Sequence, residues 1–185
     1  MAKLSVQSRW FGSLLAFVSA LAFASGTLPV RLEQDDLYRP AVISAWLKAN
    51  GATADKALAE EFFEAGVKAK KRGAKGDWGP AVKSFCASAL YYPAPKTLIE
   101  CAEVQLQSLG ASRRREKTVA QFKRSDMTSI EAIYRSALAA DTVLNTLSPA
   151  EKKGIRQNAD CLSAFNISGK VAVNCQPLQT YGLTK

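Results

Sequence analysis

The sequence predicts an all-α protein of about six helices arranged as antiparallel hairpins. Apolar residues recur at helical spacing over most of residues 38–165, and helix start and stop signals divide that stretch into segments of helical length. Strand-like alternation is confined to residues 170–174, too short and isolated for a sheet. With 185 residues, 48% of them apolar and 22% charged, the chain has the composition of one globular domain.

The first 24 residues have the three parts of a secretory signal peptide. Lys3 and Arg9 precede an uncharged stretch that ends in the small-residue pattern Ala22-Phe23-Ala24. We expect cleavage after Ala24 and export, with the bacterial periplasm as the compartment because the signal is short and rich in Ala. The alternative is an uncleaved N-terminal membrane anchor, since uncharged residues continue to Val30, about the ~20 residues that a span requires.

The composition also excludes several kinds of active site. The chain has no His, which rules out Ser-His-Asp triads, Cys-His pairs and His-ligated metal or haem sites. Its four Cys lack the C-x-x-C spacing of zinc ribbons and thioredoxin-type redox motifs. We therefore expect no catalytic, cofactor-binding or metal-binding residues, and a protein that is not an enzyme.

The four cysteines all follow the predicted cleavage site, and an even number in an oxidising compartment indicates disulfides. Three pairings are possible, and local geometry favours Cys86–Cys101 and Cys161–Cys175. The midpoint of the first pair lies in the turn Tyr92-Pro93-Ala94-Pro95, so antiparallel flanking helices would place both Cys at the same height. The second pair would close a loop of about 15 residues, worth about 3 kcal/mol in the chain-entropy model.

Local signals assign the first helices. Residues 25–37 are expected to form an extended lead-in, followed by a helix from Tyr38 to Ala49 that Asn50-Gly51 ends. Thr53 is the candidate N-cap of the second helix, whose apolar stripe is predicted to contain Leu58, Phe62 and Ala65.

Asp77 is the candidate cap of the third helix, with Pro80 in its first turn. The buried stripe predicted for this helix contains Trp78, Val82, Phe85 and Ala89. A fourth helix is predicted from Lys96 to Leu109, and Gly110 stands where a C-terminal cap glycine belongs.

The remaining chain is predicted to contain a basic stretch and two more helices. Residues 112–125 form a weak helix or a linker, and Ser125-Asp126 starts a helix to about Leu147. Ser148-Pro149-Ala150-Glu151 is a capping box for a last helix to about Phe165, with a turn at 166–169 and a loosely ordered tail unless Cys175 holds it. The expected segments are 1–24 (signal), 25–52 (lead-in and short helix), 53–110 (hairpins), 111–125 (basic stretch) and 126–185 (C-terminal helical pair and disulfide-tied tail).

Residues 54–110 resemble a tetratricopeptide repeat followed by the first helix of the next repeat. The second helix of that 34-residue repeat carries a small residue, an aromatic residue, another small residue and a closing Pro, here Ala81, Phe85, Ser88 and Pro93. The preceding helix offers Phe62, Phe63 and Gly66 near the large-Leu-Gly part of the family pattern, and the next offers Leu98, Cys101 and Ala102 at its start.

Two departures from the family pattern limit the resemblance to about a third of the chain. The loop 73–76 makes the first hairpin about three residues too long, and the Arg-rich stretch after Gly110 breaks the period. The resemblance implies a scaffold with a concave groove for a protein or peptide, without catalytic groups.

Two basic runs, 68–75 and 113–124, give the chain its net charge of +9, which falls to +7 when Lys3 and Arg9 leave with the signal. Such runs could bind an anionic lipid, a cell-wall polymer or an acidic partner. The alternative is that both runs are solvated surface segments without a binding role. Nucleic acid is not expected as a partner, because the export signal places the protein elsewhere. The candidate interaction surface consists of Lys68, Lys71, Arg72, Tyr91, Arg113, Arg114 and Arg115.

Three functions remain open at this stage. The first is a non-enzymatic exported helical-repeat protein that mediates protein–protein interaction in the bacterial envelope. The second is a cationic protein that binds anionic lipid or cell-wall polymer. The third is a small cell-wall hydrolase or lyase, but Glu100 and Glu103, on one side of a predicted helix, are more typical of surface ion pairs than of catalysis.

Overall fold

The computed structural model describes residues 30–73, 76–115 and 124–183. Within these residues every regular element is a helix and no strand is present, which confirms the all-α prediction. A 3-10 helix (Gln34–Tyr38) interrupts the lead-in that was predicted to be extended, and it is followed by α1 (Pro40–Asn50), α2 (Lys56–Gly73), α3 (Gly79–Tyr91), α4 (Pro95–Arg115), α5 (Arg124–Leu144), α6 (Pro149–Ser168) and α7 (Gln176–Tyr181). The predicted signal peptide, its cleavage site and residues 116–123 lie outside the described residues.

Helices α2 to α6 pack in chain order, each against the next. The short helix α1 packs instead against α5 and the 3-10 helix, and α7 packs against α4 and α6. Helix α5 is therefore surrounded by α1, α4, α6 and the 3-10 helix. This arrangement of packed helix pairs is compatible with a helical repeat fold.

The α2–α3 pair is held together by a close contact between a glycine and an aromatic ring. A Cβ atom on Gly66 would lie only 2.8 Å from the ring of Phe85, so the two helices approach as closely as a bare backbone allows. Phe63 meets Phe85 edge to face at 5.2 Å between ring centroids. The buried Ser88 hydroxyl donates a hydrogen bond of 2.7 Å to the Ala59 carbonyl, which ties the other end of the pair.

The start and the buried face of α2 differ from the sequence prediction. Asp55, not Thr53, caps the helix, because its Oδ1 accepts a 2.9 Å hydrogen bond from the Leu58 amide. The buried face consists of the small residues Ala59, Gly66, Ala69 and Gly73, and the predicted Ala65 is exposed. Small residues occupy this face because the Phe85 ring lies against Gly66 and the Trp78 ring, just before α3, lies against Gly73.

Helix α4 continues through Gly110 to Arg115, so the prediction that Gly110 caps its C-terminus is wrong. A Cβ at Gly110 would lie 2.5 Å from the Thr180 carbonyl oxygen of α7. The glycine is needed because the backbone of α7 crosses α4 at this point. Leu178 and Tyr181 of α7 are buried, so the described part of the tail packs onto the rest of the domain.

Both favoured disulfides are present. Cys86–Cys101 joins α3 to α4, and Cys161–Cys175 joins α6 to the segment that leads into α7. The sequence predicted a loosely ordered tail unless Cys175 holds it. The second disulfide provides that anchor.

The connection from α5 to α6 is fixed by two capping arrangements. The predicted capping box is confirmed: the Ser148 hydroxyl accepts from the Glu151 amide at 3.3 Å, and the Glu151 carboxylate accepts from the Ser148 amide at 2.8 Å. Asp141, 5% exposed, accepts from the amides of Thr146 and Leu147 and lies 2.7 Å from the Lys152 ammonium. Helix α6 runs to Ser168 instead of Phe165 and ends at Gly169, whose φ is 70°.

None of the helices within the described residues combines the length and the apolar character that a membrane span requires.

Replacement of Phe85 by Ala is expected to lower the free energy of unfolding by about 3–5 kcal/mol, because the side chain is 1% exposed and fills the space above Gly66. Chemical denaturation measures the change. Lys83→Ala, an exposed position on the same helix, should change stability by less than about 0.5 kcal/mol. Equal effects of the two substitutions would contradict the assigned face of α3.

Two glycines inside helices are expected to respond to Ala with opposite signs. Gly154→Ala should stabilise the protein by about 0.5–1 kcal/mol, since no atom lies within 4 Å of the new Cβ and Ala favours the helix. Gly110→Ala should destabilise it by about 1–3 kcal/mol, because the methyl group collides with the α7 backbone. Thermal melts of both variants provide the comparison, and stabilisation by both would show that α7 does not lie on Gly110.

Candidate functional site

A groove of about 370 Å³ lies between α2, α4 and α6, with α5 beneath it. Its apolar floor is formed by Phe63, Ile99, Tyr134 and Ile155, one from each helix. Gly154 and Asn158 complete the α6 side, and its charged residues are Lys96, Glu100, Glu103 and Glu151. We call this cavity the groove throughout.

Helical spacing explains why α4 supplies so much of the groove. Lys96, Glu100 and Glu103 are separated by four and three residues, so they share one side of the helix, and Ile99 adjoins them. On α6, Gly154 and Asn158 are likewise four residues apart. No atom lies within 4 Å of a Cβ built on Gly154, so the missing side chain leaves open space at this edge of the groove.

An ion-pair cluster borders the groove on the α2 side. The Lys70 ammonium lies 2.6 Å from Glu100 and 3.8 Å from Glu103, which confirms the prediction that these acids form ion pairs. Burial and the neighbouring Glu100 carboxylate raise the pKa of Glu103, and Lys70 opposes this shift. Glu103 is thus the carboxyl whose charge is least well compensated within the cluster.

The floor contains a buried phenol. Tyr134 is 2% exposed, and burial together with the nearby Glu103 raises the pKa of its hydroxyl. The Asn158 side chain hydrogen-bonds this hydroxyl and opposes the shift. Tyr134 gives the groove a neutral polar group in an otherwise apolar floor.

The opposite edge of the groove carries the carboxylate of Glu151. Hydrogen bonds from Ser148 lower the pKa of the exposed Glu151 carboxyl, and the positive charge of Lys96 acts in the same direction. Glu151 therefore holds two roles, as the N3 residue of the α6 capping box and as an anionic group beside the groove.

An apolar floor with charged edges is suited to binding an organic ligand. Among the described residues no group of three or more Cys, Asp or Glu is placed to hold a metal ion. The four cysteines are all in disulfides, so no thiol is available for chemistry.

The predicted interaction surface lies elsewhere and is not continuous. Lys68, Lys71 and Arg72 are exposed at the C-terminal end of α2, and Arg114 is exposed on α4. The Arg113 guanidinium lies 5.4 Å from the ring centroid of Tyr181, so it holds α7 instead of facing solvent freely.

Tyr91 is half-buried and stacks on Phe62 at 5.6 Å between centroids. The side chain of Arg115 is outside the described residues. None of the six predicted surface residues with described side chains lines the groove.

Sequence reasoning missed the groove itself. Its lining residues come from four helices and span residues 63–158, so no local pattern joins them. Two local signals were present. Ile99 on α4 is followed by Glu100 and, four residues on, by Glu103, and Gly154 interrupts an otherwise regular helix, which is costly unless the space is used.

Replacement of Lys70 by Met is expected to raise the pKa of Glu103 further, because the positive charge of Lys70, which lowers this pKa, is removed. A pH titration of the side-chain carboxyl ¹³C resonance measures this directly. Lys68→Met removes the same charge from an exposed position of the same helix and should leave the titration unchanged. A Glu103 titration that Lys70→Met does not move would show that the ion-pair cluster is absent in solution.

Comparison of the chain with protein-family models, with curated proteins and with solved structures found no match.

Proposed function

We propose that this protein is an exported, non-enzymatic adaptor that binds a partner protein or peptide of the bacterial envelope through the groove between α2, α4 and α6. The observation that carries the proposal is the groove itself, an apolar floor with charged edges and a vacant position at Gly154. Its volume of about 370 Å³ falls within the range of about 300–1,000 Å³ that is typical of ligand clefts.

The resemblance of residues 54–110 to a tetratricopeptide repeat supports the same function. Ala81, Phe85, Ser88 and Pro93, which carry the resemblance, are all buried in the structure. Phe85 packs on Gly66, as the small and aromatic positions of such a repeat require. Under this interpretation α2 and α4 are the first helices of successive repeats, and the groove lies beside both.

Export is part of the proposal. The charged start, apolar core and Ala22-Phe23-Ala24 site of the N-terminal segment support a secretory signal with cleavage after Ala24. Two disulfides support an oxidising compartment such as the periplasm, where such bonds form and persist.

The exposed cations of α2 favour a second candidate function. Lys68, Lys71 and Arg72 lie together at one helix end, where they suit an anionic lipid or cell-wall polymer. This surface is separate from the groove, so the two functions are separable by mutation. A cell-wall hydrolase or lyase has less support, because Lys70 contacts both Glu100 and Glu103.

Affinity capture from the envelope fraction tests the proposal. The full chain is exported with its own signal, retrieved through a C-terminal tag at low and moderate salt, and its bound material is identified by mass spectrometry. We expect one or a few proteins at both salt concentrations, and their loss from Gly154→Trp, whose indole would fill the groove. Ala164→Trp, at an exposed position of α6 outside the groove, is the matched control and should retain them.

Other outcomes separate the candidates. Lipid or polymer retained only at low salt, and lost when Lys68, Lys71 and Arg72 are replaced by Glu, would support the cationic surface instead. Partners retained equally by Gly154→Trp and the unmodified chain would contradict the groove as the binding site.

A further inference from the structure

We infer that the groove selects a short peptide segment that presents a Lys or Arg side chain next to an apolar one. This inference rests on the proposed function and specifies the chemistry of the partner. It is carried by the charge, the floor and the size of the groove.

The charge of the groove is opposite to that of the chain. Three carboxylates and one ammonium line it, a net of −2, which becomes −1 when Lys70 at its border is included. The chain as a whole carries +9. The overall positive charge of the chain would attract an acidic ligand. The local negative charge of the groove favours a cationic ligand instead.

The ion-pair cluster shows how a cation is held there. The Lys70 ammonium makes a 2.6 Å hydrogen bond to Glu100 but stands 3.8 Å from Glu103, beyond hydrogen-bond distance. The Glu103 carboxylate therefore retains acceptor capacity on the groove side. A ligand guanidinium or ammonium would satisfy it and offset the repulsion from Glu100, which together with burial raises the pKa of Glu103.

The floor provides the second part of the recognition. Phe63, Ile99 and Ile155 offer apolar surface within the same cavity as the carboxylates, and the position of Gly154 is vacant. An apolar side chain next to the cationic one removes this surface from water, at about 25 cal/mol per Å² of apolar area buried. The combination favours a cation with an apolar neighbour over a free metal ion or an isolated amine.

The length of the segment is limited by the size of the groove. Beyond Glu103 a further cavity of only about 100 Å³ lies between α4 and α7, bordered by Gln176 and Thr180. The open part, about 370 Å³, has room for a few side chains only. The ligand is therefore a short segment and not a long helix laid along the whole face.

Selection from a phage-displayed library of random heptapeptides tests the inference. The immobilised full chain is the target, and Gly154→Trp is used for counter-selection, so that peptides binding the exposed basic residues are discarded. We expect the enriched sequences to share a Lys or Arg adjacent to a Leu, Ile, Phe or Trp.

The best enriched peptide is then synthesised, and its affinity is measured by isothermal titration calorimetry. Combined Glu100→Gln and Glu103→Gln substitutions should weaken binding at least about tenfold, because the carboxylates that hold the cation are lost. The matched control, Glu61→Gln with Glu64→Gln, removes the same charge from exposed positions of α2 outside the groove and should change affinity less than about twofold. Circular dichroism melts confirm that each variant is folded.

The results distinguish failure of the inference from failure of the proposed function. Enriched peptides that are neutral or acidic, yet still lost with Gly154→Trp, would overturn the inference and leave the groove as a peptide site. Cationic peptides that bind the Gln double variant as well as the unmodified chain would overturn it too. If no enriched peptide is sensitive to Gly154→Trp, both the inference and the peptide-binding function are wrong.

Discussion

The burial of α5 is the constraint on which the rest of the structure depends. Its core positions Ile130, Ile133, Ala137 and Ala140 are inaccessible to solvent, because α1, α4, α6 and the 3-10 helix pack around it. Burial of each large apolar side chain contributes about 1.5–3 kcal/mol. The same helix places Tyr134 under the groove, and its Asp141 fixes the start of α6. The position of the groove is thus set by the centre of the core.

Glycines mark the positions where two helices come into close contact and the position where the groove stays open. At Gly66 the space that a side chain would fill is taken by the Phe85 ring, and at Gly110 it is taken by the α7 backbone. At Gly154 nothing occupies the space, although an Ala there would favour the helix. A residue that costs helical stability and serves no internal contact is consistent with a groove kept open for a ligand.

Local signals in the sequence predicted the elements well and the site poorly. The Ser148 capping box, the two disulfides and the burial of Phe85 each depend on residues close in sequence or on one helix face, so a pattern reveals them. The prediction for Gly110 failed because a capping glycine and a close-approach glycine look alike until the crossing helix is known. Arg113 was predicted to be a surface cation, but the Tyr181 ring that it contacts lies 68 residues further along the chain. The groove joins four helices, and only the tertiary packing brings its residues together.

The central claim is that a partner lies in the groove, and site-specific photo-crosslinking in the living cell tests it most directly. The photoreactive benzoylphenylalanine would replace Ile99 in the groove or Ala45, an exposed position of α1 outside it. The account predicts a discrete crosslinked adduct from position 99, none from position 45, and loss of the adduct when Gly154→Trp is added. Equal adducts from both positions, or an adduct from position 45 alone, would contradict it.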